Sequence, residues 1–201
     1  MRTDNHYFSE QEMQQLLRSA KRRSSRGSII DKADYALVVF AYATGCRVGE
    51  IASTSLDCQA PNYLNLRSAT LRITEAKYNS QGVVPIDVAN IRILRWYVRQ
   101  VRPQLKNALN LHHLFLSKTG RPYSANVLTQ KFSLLLDRFG FDEKTCHSFR
   151  HYYVTDLLRK GVQPHVVQSL VRHRDARTTL QIYAHPTIED LKMAVNRRLA
   201  Q

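Results

Sequence analysis

Six side chains in this sequence have the types and the spacing that chemistry at a phosphate group requires. Arg47 is followed three residues later by Glu50, and His147 is followed three residues later by Arg150. On a helix, that spacing places both members of a pair on one face. Guanidinium groups stay protonated and donate paired hydrogen bonds to phosphate oxygens, and each imidazole can add one more. The candidate set is Arg47, Lys77, His147, Arg150, His173 and Tyr183.

The chemistry that fits these groups is attack on a phosphodiester by an oxygen nucleophile. Negative charge then develops on the non-bridging oxygens, and donors fixed in advance at those oxygens stabilise it. Arg47 and Arg150 suit that task. Glu50 has two interpretations, an acid-base group or a carboxylate that holds a neighbouring cationic or amide group in place. We favour the second.

Other kinds of chemistry have little support in the sequence. It contains no P-loop, no GxGxxG and no HExxH motif. The three cysteines, Cys46, Cys58 and Cys146, share no CxxC spacing, which argues against a disulfide framework or a zinc knuckle. His147 and His151 have a spacing that could ligate a metal, but no carboxylate or third ligand accompanies them. We therefore expect no metal and no cofactor, and a structural role for His151.

Net charge points to the partner. The chain has 201 residues, with 30 Lys and Arg against 16 Asp and Glu, a net charge of +14. A polyanion is the expected partner, with nucleic acid first and an anionic membrane surface second. The longest apolar run, residues 35–43, is far shorter than the ~20 residues of a bilayer span, and the N-terminus has no signal-peptide pattern. These features predict a cytoplasmic protein.

Hydrophobic periodicity and turn residues predict the elements that must position these side chains. A capping box at Ser9 opens a helix to about residue 20, and the basic stretch 21–26 is predicted as a loop. Thr44 and Gly45 end the second helix. The predicted helices cover 9–20, 31–43, 48–52, 87–102, 124–139, 147–160, 164–171, 177–182 and a segment from 187, and the predicted strands cover 63–66, 70–74 and 83–86.

The fourth helix carries a row of arginines beside its apolar line. Arg92, Arg95, Arg99 and Arg102 follow one another at spacings of 3, 4 and 3 residues. Such a row is either a solvated helix face or a contact with the DNA backbone. The sequence leaves both interpretations open.

Taken in order, these motifs closely resemble the tyrosine recombinase (phage integrase) family over nearly the whole chain. Arg47 and Glu50 form R-x-x-E, Lys77 lies eight residues before Pro85 in a predicted hairpin, and H-x-x-R, His173 and Tyr183 follow. The resemblance implies the catalytic-domain fold of that family, mainly α with a small three-stranded antiparallel sheet. It also implies a site-specific recombinase that cuts and rejoins duplex DNA.

The resemblance assigns the reaction steps. Tyr183 is the nucleophile and leaves a 3′-phosphotyrosyl link and a free 5′-hydroxyl, while Lys77 protonates the departing 5′-oxygen. A phenol with an unperturbed pKa of about 10 needs a base or a cationic field, which His147 and the arginines can provide. The covalent bond conserves the energy of the phosphodiester, so no ATP is needed.

The sequence departs from the family pattern at two places near the site. Arg172 stands where a glycine commonly precedes the second histidine, and Gly82 stands where an arginine is frequent before the hairpin proline. We expect Arg172 and Arg174 to contact DNA phosphates. We also expect residues 1–201 to form one catalytic domain without an N-terminal core-binding domain, as in a fragment or a short stand-alone recombinase.

The family resemblance further implies assembly on DNA. A helix over about 187–199 would dock onto a neighbouring subunit, giving dimers to tetramers, and accessory DNA-bending proteins are compatible partners. Besides a type IB topoisomerase, which shares this chemistry, two other functions stay open. One is a catalytically silent DNA-binding module. The other is a metal-dependent nuclease, because Glu75-Ala-Lys77 imitates an E-x-K element and Asp57 lies upstream.

Overall fold

The computed structural model of the chain describes residues 6–74 and 81–172. Seven α-helices and three strands are found there: α1 (Glu10–Arg26), α2 (Ile29–Thr44), α3 (Val48–Ser53), β1 (Asn62–Asn65), β2 (Thr70–Ile73), β3 (Gly82–Pro85), α4 (Val88–Trp96), α5 (Ala125–Arg138), α6 (Cys146–Arg159) and α7 (Pro164–Val171). A π-helical turn (Tyr97–Val101) and a 3₁₀ turn (Arg102–Gln104) continue α4, and a second 3₁₀ turn covers Ala108–Asn110. The predicted mainly helical fold with a three-stranded sheet is confirmed.

Helix α1 begins as predicted and ends later. The Glu12 amide donates to Ser9 Oγ at 3.2 Å, and the Ser9 amide donates to Glu12 Oε2 at 2.7 Å. The basic stretch 21–26, predicted as a loop, is helical up to Gly27. Lysine and arginine are good helix formers, and the buried Ser24 continues the apolar face on the inner side of the helix. Charge was therefore a poor signal for a loop here.

The centre of the fold is α2, which packs against α1, α4 and α6. It begins at Ile29, two residues earlier than predicted, because Ser28 caps it in a reciprocal pair with Asp31. It ends at Gly45, which has a left-handed backbone with φ of 56°. A Cβ at Gly45 would also lie 2.7 Å from the Tyr153 ring on α6. Glycine thus lets the chain turn tightly into α3.

The sheet is antiparallel in the order β1-β2-β3. Leu71 pairs with Leu64 on one side and with Val84 on the other, and all three are buried. The strands lie within one residue of the predicted ranges. Buried residues alternate with more exposed ones along the strands, and a slip by one residue would expose Leu64, Leu71 and Val84, so this alternation fixes the register.

The N-terminal segment before α1 is fastened to the start of α6. Ser148 Oγ donates to the His6 carbonyl at 2.7 Å, and Lys144 Nζ donates to the Tyr7 carbonyl at 2.7 Å. The Tyr7 ring stacks on the His151 ring, with centroids 3.5 Å apart. This contact fits the structural role expected for His151. No sequence pattern predicted that the buried Lys144 fastens this segment.

Among the described residues, no helix combines the length and apolar character that crossing a bilayer requires.

Candidate active site

Arg47 enters the site at the junction of α2 and α3. Its backbone is extended, and its amide donates to Glu50 Oε2 at 2.8 Å. Its guanidinium Nη1 donates to Glu50 Oε1 at 3.0 Å. The Glu50 side chain is 4% exposed, whereas that of Arg47 is 28% exposed. One buried carboxylate therefore holds both the backbone and the head of an arginine that still reaches solvent.

Arg150 reaches the same place from α6. It is 3% exposed, and it donates through Nη1 to the Gly45 carbonyl at 3.0 Å and through Nη2 to the Val171 carbonyl. Burial and then the nearby Arg47 cation lower the pKa of Arg150 to about 10, so it stays charged at neutral pH. These two bonds use two of the five N–H donors of a guanidinium, which leaves donors for an anion.

Arg172 completes the cluster at the end of α7. Its Nη2 donates to Glu50 Oε2 at 2.7 Å, and its Nη1 donates to the Leu170 carbonyl at 2.9 Å. The side chain is only 1% exposed. The Arg172 guanidinium thus points inward to the buried carboxylate of Glu50, whereas the sequence analysis expects it at a DNA phosphate.

His147 lies in the first turn of α6, one turn before Arg150. Its side chain is accessible to solvent, although neighbouring protein encloses part of the ring. This partial burial, followed by the cations of Arg150 and Arg47, lowers the pKa of His147 below its usual 6.5. The lowered pKa favours the neutral imidazole, which is the form that can accept a proton.

The cluster has an excess of positive charge. Arg47 and Arg172 are paired with the Glu50 carboxylate, and the Arg150 cation interacts with it electrostatically. These four side chains together carry a net charge of 3 − 1 = +2. The interpretation of Glu50 as a carboxylate that holds cationic and amide groups agrees with its contacts. An anion with two negatively charged oxygens would neutralise this centre. The phosphate has that character in the transition state of the transfer, when charge accumulates on its non-bridging oxygens.

A comparison with protein families decides the relationship. The model of the phage integrase family matches residues 6–189. The chain belongs to the phage integrase family. The resemblance inferred from the motifs is thereby confirmed.

Relatives of this phage integrase family member include named recombinases. It is 33% identical over 178 residues to the tyrosine recombinase XerD of Corynebacterium glutamicum, a match that covers 88% of this chain and 56% of that protein. It is 28% identical to the tyrosine recombinase XerC of Lactobacillus leichmannii, with 92% and 60% covered. The chain thus spans little more than half the length of these curated relatives.

Solved structures support the phage integrase fold. XerA recombinase superposes with a TM-score of 0.78 at 23% identity, covering 98% of this chain and 66% of that one. The Tn1549 transposon integrase in complex with circular intermediate DNA gives a TM-score of 0.74 at 18% identity, with 97% and 66% covered. The predicted catalytic-domain fold is confirmed.

The structure brings together only part of the predicted site. It places Arg47, Glu50, His147 and Arg150 around one centre. The other predicted site residues, namely Lys77, His173, Arg174 and Tyr183, lie outside the described residues, as does segment 187–199. Within residues 6–74 and 81–172, no three His, Cys, Asp or Glu side chains lie together as a metal site would require.

The arginine row on α4 does not act as a unit. Arg92 and Arg99 are exposed. Arg95 instead donates to the Leu66 carbonyl through Nε at 2.9 Å and through Nη2 at 2.7 Å. The Arg95 guanidinium therefore ties α4 to the residues that follow β1, and contact of the row with DNA stays a prediction. Arg102 is buried and donates only to carbonyls.

Sequence reasoning missed the pairing of Arg172 with Glu50. The two residues are 122 positions apart, and helical spacing says nothing about such a distance. The one signal was the arginine at a position where the family commonly has glycine. Arg172 has a φ of 55°, a left-handed conformation that glycine adopts at little cost.

Proposed function

We propose that the chain is the catalytic part of a tyrosine-type site-specific DNA recombinase, which cuts and rejoins duplex DNA. The observation that carries this proposal is the centre formed by Arg47, Glu50, Arg150 and Arg172, with a net charge of +2 and His147 beside it. It occurs in a member of the phage integrase family whose relatives are named tyrosine recombinases. The net charge of +14 supports DNA as the partner.

The proposed reaction is a transfer of the phosphoryl group. The Tyr183 oxygen attacks the scissile phosphorus, the bond from phosphorus to the 5′-oxygen breaks, and a 3′-phosphotyrosyl link forms. Arg47 and Arg150 donate to the non-bridging oxygens, where charge accumulates. Rejoining reverses these steps when a 5′-hydroxyl attacks the link and Tyr183 leaves.

Two proton transfers accompany the exchange. The phenol proton of Tyr183 goes to a base, and His147 can receive it because its lowered pKa favours the neutral imidazole. The departing 5′-oxygen takes a proton from Lys77, and His173 adds a further hydrogen bond to the phosphate. These roles follow the family resemblance.

A covalent-adduct assay tests the function. With duplex DNA that carries a nicked suicide site, the protein should form a denaturation-resistant adduct that persists in EDTA. Tyr183→Phe keeps the ring and removes the nucleophile, so it should form none. Tyr63→Phe, a change on strand β1, is the matched control and should form adduct at the wild-type level.

Three results would contradict the proposal. Adduct formation by Tyr183→Phe at the wild-type yield would remove the nucleophile assignment. DNA binding without any adduct would favour a silent DNA-binding module. Cleavage that EDTA abolishes would favour the metal-dependent nuclease.

We also propose that copies of the chain assemble on DNA through segment 187–199, as dimers to tetramers. Ile188, Leu191, Val195 and Leu199 have helical spacings of 3, 4 and 4, which suits an apolar docking face. Truncation after Pro186 should abolish higher-order complexes and leave cleavage by a monomer possible. Unchanged sedimentation of the truncated protein on DNA would refute this assembly.

A further inference from the structure

Arg172 occupies its place at a cost to stability. Its left-handed backbone is uncommon for a residue other than glycine, and the surrounding structure must hold it there. Its Nε is buried, and no hydrogen-bond acceptor is found for it in the part of the chain that the structure describes. A buried donor without a partner is unfavourable. Core stability alone therefore does not explain this arginine.

Arg172 acts on the site through Glu50. Oxygen Oε2 of Glu50 accepts from Arg172 Nη2 at 2.7 Å and from the Arg47 amide at 2.8 Å, while Oε1 accepts from Arg47 Nη1 at 3.0 Å. The carboxylate is thus fixed at both oxygens, with a buried cation on one side and the solvent-reaching cation on the other. Moving it would move the head of Arg47.

Strand β3 leaves room for the Arg172 side chain. A Cβ at Gly82 would lie 3.1 Å from Arg172 Cγ and 3.2 Å from Cδ, closer than ordinary van der Waals contact. Any side chain at 82 would therefore press on the arginine stem. The two positions at which the sequence departs from the family pattern are in contact with each other.

We propose that Arg172 is a positioning residue for the cleavage reaction: it fixes Glu50, and through Glu50 it aims the Arg47 guanidinium at the scissile phosphate. Gly82 contributes to this positioning because its lack of a side chain leaves space for the aliphatic part of Arg172. The proposal rests on the proposed function. Arg172 acts through Glu50 and not by contact with the phosphate, because its two Nη atoms already donate to Glu50 and to the Leu170 carbonyl.

A single-turnover cleavage assay at saturating DNA reads this role. Arg172→Met keeps the aliphatic stem and removes the guanidinium. The cleavage rate should fall by about 100-fold, the loss that a misplaced catalytic group causes, with unchanged affinity for DNA. Arg102→Met is the control, since it also removes a buried guanidinium but should leave the rate of the folded protein unchanged.

A neutral substrate separates positioning from a structural role. A methylphosphonate at the scissile position lacks one charged non-bridging oxygen, so the aim of Arg47 matters less there. The defect of Arg172→Met should largely disappear on this substrate and in an Arg47→Ala background. An equal defect on both substrates and in both backgrounds would overturn the proposal.

Gly82→Ala tests the contact from the other side. The new methyl group should displace Arg172 and lower the rate by less than Arg172→Met does. In an Arg172→Gly background the stem is absent, so Gly82→Ala should have no further effect. Additive losses would show that Gly82 serves another purpose and does not contribute to this positioning.

NMR of arginine side chains detects a change in the position of the Arg47 guanidinium without any cleavage of DNA. The Nε–Hε signal of Arg47, assigned by its loss in Arg47→Lys, should shift or broaden in Arg172→Met and stay in place in Arg102→Met. An unmoved signal in Arg172→Met overturns the proposal, whether or not the wild-type protein cleaves DNA. Failure of the proposed function is seen separately, as a wild-type protein that forms no adduct.

Discussion

Two buried arginines, Arg102 and Arg150, are used in opposite ways. Arg102 is 7% exposed and makes five hydrogen bonds, all to backbone carbonyls between Ala108 and Leu114. Arg150 is 3% exposed and makes two, to the carbonyls of Gly45 and Val171. The two arginines are thus buried to a similar extent. The hydrogen bonds of Arg102 are all directed at carbonyls, whereas Arg150 keeps donors that can bind an anion.

The neighbouring charges differ in the same sense. Burial is the main cause of a lowered pKa for Arg102, and the Tyr97 phenol opposes it. Burial also lowers the pKa of Arg150, but the next cause is a second cation, Arg47. Carbonyls can satisfy a single guanidinium without collecting charge, whereas adjacent guanidiniums create a demand for an anion. Residue type and burial do not distinguish these two arginines. The charged groups and hydrogen-bond acceptors around each one do.

The largest expected effect comes from removing each arginine in turn. Arg150→Met should lower single-turnover cleavage by about 10²- to 10³-fold, the loss found when one oxyanion donor is removed. Arg102→Met should instead lower the free energy of unfolding by about 3 kcal/mol, since it leaves buried carbonyls without donors. Urea denaturation and adduct kinetics on the same samples check both. A rate loss in Arg102→Met beyond its unfolded fraction would contradict the comparison.

Two histidines sharpen the comparison. The pKa of His147 is lowered by partial burial and by Arg150 and Arg47, and that of His113 is lowered by burial and then by Arg102. Removing a cation eases protonation, so Arg47→Met should raise the pKa of His147 alone, and Arg102→Met should raise that of His113 alone. NMR titration of the imidazole signals measures both in one sample.

The same titration with DNA present adds a direct test of the site. A phosphate bound between Arg47 and Arg150 brings negative charge near His147 and should raise its pKa. His113 serves as the internal control and should not respond. If both pKa values rise by the same amount, the anion is spread over the surface and does not occupy the site.

The elements were predictable where local chemistry decides them. Capping by Ser9, the turn at Gly45 and the alternation in the strands gave boundaries within a few residues. The error in the stretch 21–26 arose because charge was taken as a loop signal, although Ala20 and Ser24 continue the buried face of α1. Packing against α2 was the deciding information, and a local pattern does not contain it.

The site was predictable as a set of residues but not as a network. Short spacings relate His147 to Arg150 and Arg47 to Glu50, and the family pattern joins the two pairs. The contact of Arg172 with Glu50 depends on how α7 meets α3, and that of Arg95 with Leu66 depends on how α4 meets the sheet. Tertiary contacts of this kind leave no periodic trace. A net charge of +14 likewise does not reveal which arginines are already committed inside the fold.

The smallest expected effect concerns the arginine row of α4, in which some arginines are exposed and others are bound to carbonyls within the fold. Arg92 and Arg99 are exposed, whereas the guanidinium of Arg95 is held by the Leu66 carbonyl. If the exposed pair touches the DNA backbone, Arg92→Gln with Arg99→Gln should reduce the slope of log K against log salt by about 2, roughly 1 per lost phosphate contact. Arg95→Gln should leave the slope unchanged and lower the free energy of unfolding by about 1 kcal/mol, because its hydrogen bonds to the Leu66 and Arg67 carbonyls are lost. A slope that falls in Arg95→Gln but not in the double variant would contradict this assignment. It would mean that Arg95 leaves the Leu66 carbonyl when DNA binds and contacts the DNA backbone itself.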